Sequence, residues 1–278
     1  MLQRTITGVV MAALFVPVAI FSDTLVLPIV MAVLAAVAMG EMLHCVGLLK
    51  NWFITVPTVL VSGAAPMLAY FMLDNPERFF FLLIAAALVL LFLLFSVAVL
   101  THGRVAAPEM SVAFLGAFYI PVAFSCAILL RHHALGDGMF YLIFIGAWAT
   151  DIFAYFSGYL FGKHKLNPEI SPKKTVEGSI GGTLMCVILF VVYGIVMKKI
   201  GVMSVNPIAL GGIGLVVSVV SQIGDLSMSL IKRHYGVKDY GKIFPGHGGV
   251  LDRFDSILAT APFLYLLVIA FTALSWLS

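Results

Sequence analysis

The densest group of side chains able to do chemistry in this sequence lies between two apolar runs, from Ser229 to Asp255. These twenty-seven residues hold five basic side chains, three carboxylates and five glycines. Lys232, Arg233, Lys238 and Arg253 bring positive charge, Asp239, Asp252 and Asp255 bring carboxylates, and the glycines around His247 allow close backbone approach to a ligand. Carboxylate oxygens suit Mg²⁺, which takes one or two of them and shares a substrate's phosphates. Asp252 and Asp255 stand three apart at the expected start of a helix, where an acid also stabilises the helix dipole. That accounts for one of them and not for the cluster. His247 either donates to a phosphate oxygen or shapes the glycine turn.

Three further features stand upstream. The segment Gly162–Ser179 carries two prolines, with Ser171, Thr175 and Ser179 interleaved among Lys165, Lys173 and Lys174. Lysine ammonium groups, hydroxyl donors and a following helix N-terminus together make a phosphate-binding surface. Further on, Ser218, Ser221, Gln222, Asp225, Ser229 and Lys232 recur at intervals of three or four, so they share one helical face. Lipid would leave such a face unsatisfied, so it is expected to line a cavity, with Asp225 toward the end where a divalent cation enters. Asp151 lies inside another apolar run. Helical spacing places Thr150, Asp151, Tyr155 and Gly158 near one face, a polar seam, the alternative being a helix-packing hydrogen bond from Asp151. Glu41 reads as a helix-end carboxylate near Lys50 at the membrane interface.

The elements that must position these groups follow from composition. Of 278 residues, 62% are hydrophobic and 10% charged, against about 25% charged in soluble domains. That composition excludes a soluble fold, disorder and a disulfide scaffold; the three cysteines lie in or beside apolar runs. Runs long enough to cross about 30 Å of hydrocarbon fall at 5–22, 24–44, 53–73, 79–100, 110–130, 138–162, 178–197, 207–231 and 256–277. The expectation is an all-α polytopic membrane protein of about nine helices, the first retained because Phe21-Ser22-Asp23 lacks a small-x-small cleavage pattern. With the N-terminus inside, basic residues divide twelve to four in favour of the inner side, Arg104 among the twelve. The C-terminus is then outside, and the basic loops 163–177 and 232–255 face the cytoplasm. Eleven of 16 basic and seven of 13 acidic residues follow position 150. Residues 1–147 therefore read as a hydrophobic scaffold of about five spans and 148–278 as the catalytic region.

The run Ser-x-x-Lys-Arg, four residues, Lys-Asp, then Pro-Gly-His-Gly-Gly-Val-x-Asp-Arg-Phe-Asp resembles the signature of phosphatidate cytidylyltransferases, or CDP-diacylglycerol synthases. Ile170-Ser-Pro-Lys-Lys-Thr-Val-Glu-Gly-Ser and Ser221-Gln-Ile-Gly-Asp225-Leu are also similar to that family, so the likeness covers most of 148–256. The resemblance implies transfer of the cytidylyl group of CTP to phosphatidate, with release of pyrophosphate. It implies Mg²⁺ with a second cation, a monovalent one among the choices. The expected partners are CTP, phosphatidate and membrane lipid, with no nucleic acid. The family tends to form homodimers, and the expected place is a bacterial cytoplasmic membrane with the site facing the cytoplasm.

On this reading Asp225 and Asp252 are metal ligands and Asp255 a third or bridging acid. Lys232, Arg233, Lys238 and Arg253 neutralise phosphates, and Ser171, Lys173, Lys174 and Thr175 close the site from the other loop. Ser221, Ser229, Asp239 and Asp151 complete the substrate-binding set. A secondary transporter would place its charges near the midplane between repeats, and no repeat is visible. A CTP-dependent lipid-alcohol kinase would release CDP instead of pyrophosphate. Replacing Asp225 or Asp252 by Asn is expected to abolish CTP-dependent product formation in membranes while leaving expression intact, and normal turnover in either variant would sink the metal assignment.

Overall fold

A computed structural model of the protein describes residues 2–103 and 105–274, with side chains from Thr7 onward. Among these residues are nine α-helices: α1 (Leu2–Ile20), α2 (Val26–Cys45), α3 (Trp52–Phe71), α4 (Pro76–Leu100), α5 (Ala107–Arg131), α6 (Gly136–Phe161), α7 (Val176–Lys199), α8 (Pro207–His234) and α9 (Leu251–Ala273). Helices α2 to α9 are each long and apolar enough to cross a membrane, while the described stretch Thr7–Ile20 of α1 is a shorter apolar segment. The protein is an integral, multi-pass, all-α membrane protein. Arg104 of the charge count and the last residues of the ninth run lie outside the described residues.

Two helices differ from their expected bounds in ways that matter for the site. Helix α9 starts at Leu251, five residues earlier than hydropathy alone indicates, so Asp252 falls in its first turn. Helix α8 has 28 residues. At 1.5 Å per residue it rises roughly 42 Å, about 12 Å more than the hydrocarbon needs. The segment expected as a loop forms an antiparallel hairpin, β1 (Lys165–Asn167) with β2 (Ser171–Thr175), Lys165 opposite Thr175 and Asn167 opposite Ser171. The amide of Ile170 donates to Asn167 Oδ1 at 3.2 Å, closing the turn around Pro168. Pro172 is tolerated in β2 because a two-stranded sheet has only edges.

The chain divides into two compact units, Met1–Leu129 with His234–Phe254 and Leu130–Arg233 with Asp255–Ser278. In the first, α2 turns a buried face of Leu27, Met31, Ala35, Ala38 and Met42 to its neighbours, the three-and-four spacing of an amphipathic helix. In the second, α6 and α7 approach through small residues. A methyl group at Gly182 would lie 2.6 Å from the carbonyl oxygen of Thr150, and one at Gly178 2.6 Å from that of Ala154. Such small-residue contacts let backbones pack where the surrounding lipid supplies no hydrophobic drive.

The same interface is laced with polar groups. Thr150 Oγ1 donates to Ser218 Oγ at 3.0 Å, Ser218 Oγ to Thr183 Oγ1 at 3.1 Å, and Gln222 Nε2 to Thr183 Oγ1 at 3.0 Å. The hydroxyl of Ser179 completes the set by donating to Gln222 Oε1. Ser218 and Gln222 of the α8 stripe are thus packed against α6 and α7, where the spacing predicted a cavity lining. The chain satisfies these groups itself, leaving the stripe's far end, Asp225 to Lys232, for other work. Interhelical hydrogen bonds in membranes average about 0.6 kcal/mol, whereas overpacking costs about 1–3 kcal/mol. Gly182→Val is therefore expected to lower the thermal midpoint in detergent clearly more than Ser218→Ala, as followed by tryptophan fluorescence or size-exclusion loss on heating.

Candidate active site

In the unit formed by Leu130–Arg233 and Asp255–Ser278, the hairpin brings Lys174 to α8, where its ammonium pairs with Asp225 Oδ2. Both side chains are largely but not wholly covered. The other oxygen of Asp225 accepts weakly from Ser229 Oγ, one turn on, at 3.5 Å. The charges that bear on Asp255 are those of Asp225 first, then Asp151, with Lys232 opposing them. Lys232 is buried at 8% exposure, which an ammonium tolerates only beside negative charge. Asp255 Oδ1 accepts the amide of Ser256 at 2.8 Å, and Ser256 Oγ donates to Asp151 Oδ2 at 3.2 Å. The structure therefore gathers Asp225, Asp255, Asp151, Lys174 and Lys232.

Asp151 makes the helix-packing bond that was the alternative to a polar seam. Thr150 and Gly158 face into the protein, whereas Tyr155 is exposed and stacks on Tyr159. Thr150, Asp151, Tyr155 and Gly158 thus do not form one face.

Other groups of the basic hairpin have local partners. Thr175 caps α7, its Oγ1 accepting the amide of Gly178 at 3.1 Å. Glu177 gathers the amides of Lys163 and His164 and the His164 ring, fixing the chain that enters β1. Sequence reasoning passed over Glu177, although a Thr followed two residues later by Glu at a helix start is an N-terminal signature. Lys173 is exposed and Ser171 half-buried. Arg233 is exposed, and its Nε donates to the carbonyl of Ile170 at 3.4 Å, at the hairpin turn. Ser221 Oγ is fully buried with no hydrogen-bond partner among the described residues.

In the unit formed by Met1–Leu129 and His234–Phe254, the glycine-rich segment is a structured loop. Phe244 N donates to Gly248 O and His247 N to Phe244 O, each at 2.8 Å, closing a tight turn. Gly246 and Gly248 there have φ of 79° and 88°, conformations that favour glycine. Asp252 is buried, and its Oδ2 accepts the amides of Tyr240 at 2.8 Å and Gly249 at 2.9 Å. His247 Nδ1 is buried without a hydrogen-bond partner among the described residues. Lys238, Asp239 and Arg253 are exposed. Tyr235 sits where burial pushes its phenol above the ordinary range.

Glu41 corrects the sequence reading. It is no interfacial partner of Lys50; it is 7% exposed, and its two oxygens accept the amides of Val250 at 3.0 Å and Leu251 at 2.9 Å. The available signal was a carboxylate in an otherwise apolar spanning helix. What it binds could not be read from spacing.

The donor set fits a hard cation on one condition. Among the described residues no group of three or more His, Cys, Asp or Glu side chains is arranged to hold an ion. The interacting carboxylates Asp225 and Asp255 nevertheless match the one or two that Mg²⁺ takes when substrate phosphates supply the rest. Lys174 holds Asp225 through an ion pair worth at most about 1 kcal/mol, given its partial exposure. Lys174→Met is therefore expected to shift the thermal midpoint by no more than about 4 °C while weakening nucleoside-triphosphate binding about tenfold by calorimetry. Unchanged nucleotide affinity would leave Lys174 a partner of Asp225 and nothing more.

Comparison with known proteins finds relatives along the whole chain. The model of the Cytidylyltransferase family matches residues 2–271. A phosphatidate cytidylyltransferase of Bacillus subtilis strain 168 is 36% identical over 279 residues, covering 98% of this chain and 99% of that protein. One from Staphylococcus epidermidis is 34% identical over 268 residues, covering 96% of this chain and 98% of its own, and one from Staphylococcus aureus strain COL is 33% identical over the same length. With a match that runs from the first helix through the last, the chain belongs to the cytidylyltransferase family.

Proposed function

We propose that the protein transfers the cytidylyl group of CTP to phosphatidate, giving CDP-diacylglycerol and pyrophosphate, as the names of its relatives indicate. The observation that carries this reading is the meeting of Asp225, Asp255, Lys174 and Lys232 at the end of a membrane-spanning helix long enough to emerge from hydrocarbon. A phosphate oxygen of the lipid is already a nucleophile, so no activated serine or cysteine is needed. The chain's task is to hold two anions together and stabilise the charge that develops between them. Lys232, Arg233 and Lys174 supply positive charge to the phosphates, joined by Lys173, Lys238 and Arg253. Ser171 and Ser229 offer hydroxyls, with His247 and Ser221 added from the sequence pattern.

Asp225 and Asp255 are the carboxylates offered to Mg²⁺, with Asp252 added from the sequence pattern. When bound, the ion would draw negative charge from the α-phosphate and the departing pyrophosphate. Triphosphate binding relocates the Lys174 ammonium from Asp225 to phosphate, leaving the carboxylate free. The basic loops face the cytoplasm, where CTP is made, in a bacterial inner membrane, and the protein works as a homodimer; the twelve-to-four division of basic residues supports the orientation.

Purified protein incubated with CTP, phosphatidate and Mg²⁺ is expected to yield CDP-diacylglycerol and pyrophosphate in equal amounts, and chelation of the metal to stop the reaction. Formation of CDP with a newly phosphorylated lipid would mark a kinase, and no nucleotide turnover at all would defeat the proposal.

A further inference from the structure

Glu41 lies in α2, within the run that composition marks as scaffold, yet it touches the glycine-rich segment from two sides. Its two oxygens separately take the consecutive amides of Val250 and Leu251 at the start of α9. The first amides of a helix have no partner inside it. Here the preceding residues, Gly248, Gly249 and Val250, have no side chain able to cap them. Asp252 does not serve the same amides, because its Oδ2 is engaged by those of Tyr240 and Gly249. The cap therefore comes from a residue 209 positions away.

The second side of contact is at the other arm of the segment. A side-chain carbon built on either Gly241 or Gly249 would run into the Glu41 carboxylate. The segment thus closes around Glu41 as around a peg, and the two glycines allow it. A carboxylate that only ended a helix would touch one arm.

We propose that Glu41 is a positioning residue for the reaction: by fixing the backbone at 249–251 and filling the segment's interior, it holds His247 and Asp252 in reactive geometry. This rests on the cytidylyl-transfer reading, since without that reaction there is no reactive geometry to hold. Misplacement of a reacting group by about 1 Å costs on the order of a hundredfold in rate, and that is the scale expected when both acceptors are removed.

The test compares Glu41→Gln, which keeps shape and one acceptor, with Glu41→Ala, which keeps neither. In detergent, Glu41→Gln is expected to melt within about 4 °C of wild type, with KM for CTP within about threefold and kcat about tenfold lower. In Glu41→Ala kcat is expected to fall about a hundredfold, again with little change in KM, and peptides containing Val250 and Leu251 should exchange amide hydrogen faster. If the Ala variant does not fold, the Gln variant decides.

Three outcomes overturn the proposal: kcat within twofold of wild type in the folded variants, a raised KM with unchanged kcat, or losses of activity matched throughout by loss of folded protein. Wild type in the same assay tests the underlying reaction independently. If it forms no product the cytidylyl-transfer reading falls, while hydrogen exchange still reports whether Glu41 secures the segment.

Discussion

Hydrocarbon offers no hydrogen-bond partner, so polar groups carried into the membrane are driven to find one within the protein. That single constraint organises the structure. It is why Ser218 and Gln222 interlock with Thr150, Thr183 and Ser179. Burial makes the same demand of the amides of Val250 and Leu251, which draw in a carboxylate from another helix. Charges that cannot be neutralised this way must sit where water or a ligand reaches them: Asp225 and Lys174 pair with each other and keep partial access, while Lys232 is buried beside negative charge.

Rigid packing and chemistry are divided along one helix. The middle of α8 faces α6 and α7 through small and hydroxyl side chains, while its end carries the acid and the bases. Glycines serve both purposes differently: Gly178 and Gly182 bring helix backbones together, whereas Gly241 and Gly249 let a loop enclose a carboxylate. In both cases the missing side chain makes room for a polar atom of the protein itself.

Much of this was legible in the sequence. Hydropathy marks the helices because about twenty apolar residues leave few other choices, and the period of the α8 stripe places Asp225 and Lys232 on one face. The hairpin was less visible, because two short strands with prolines look like any basic loop until Asn167 closes the turn. Thr175 reads equally as a phosphate donor or a helix cap, and only the amide of Gly178 distinguishes them. Glu41 was the least legible. A carboxylate whose partners are backbone amides at the far end of the chain leaves no pattern of side-chain spacing, since the amides belong to every residue alike.

The length of α8 carries one more consequence. With roughly 12 Å more rise than the hydrocarbon needs, the helix has about two turns to spare, enough for one end to reach the polar region of a bilayer. The polar end of the helix is thereby gauged against the bilayer itself. A thicker membrane would draw that end toward the acyl chains and a thinner one would push it toward water.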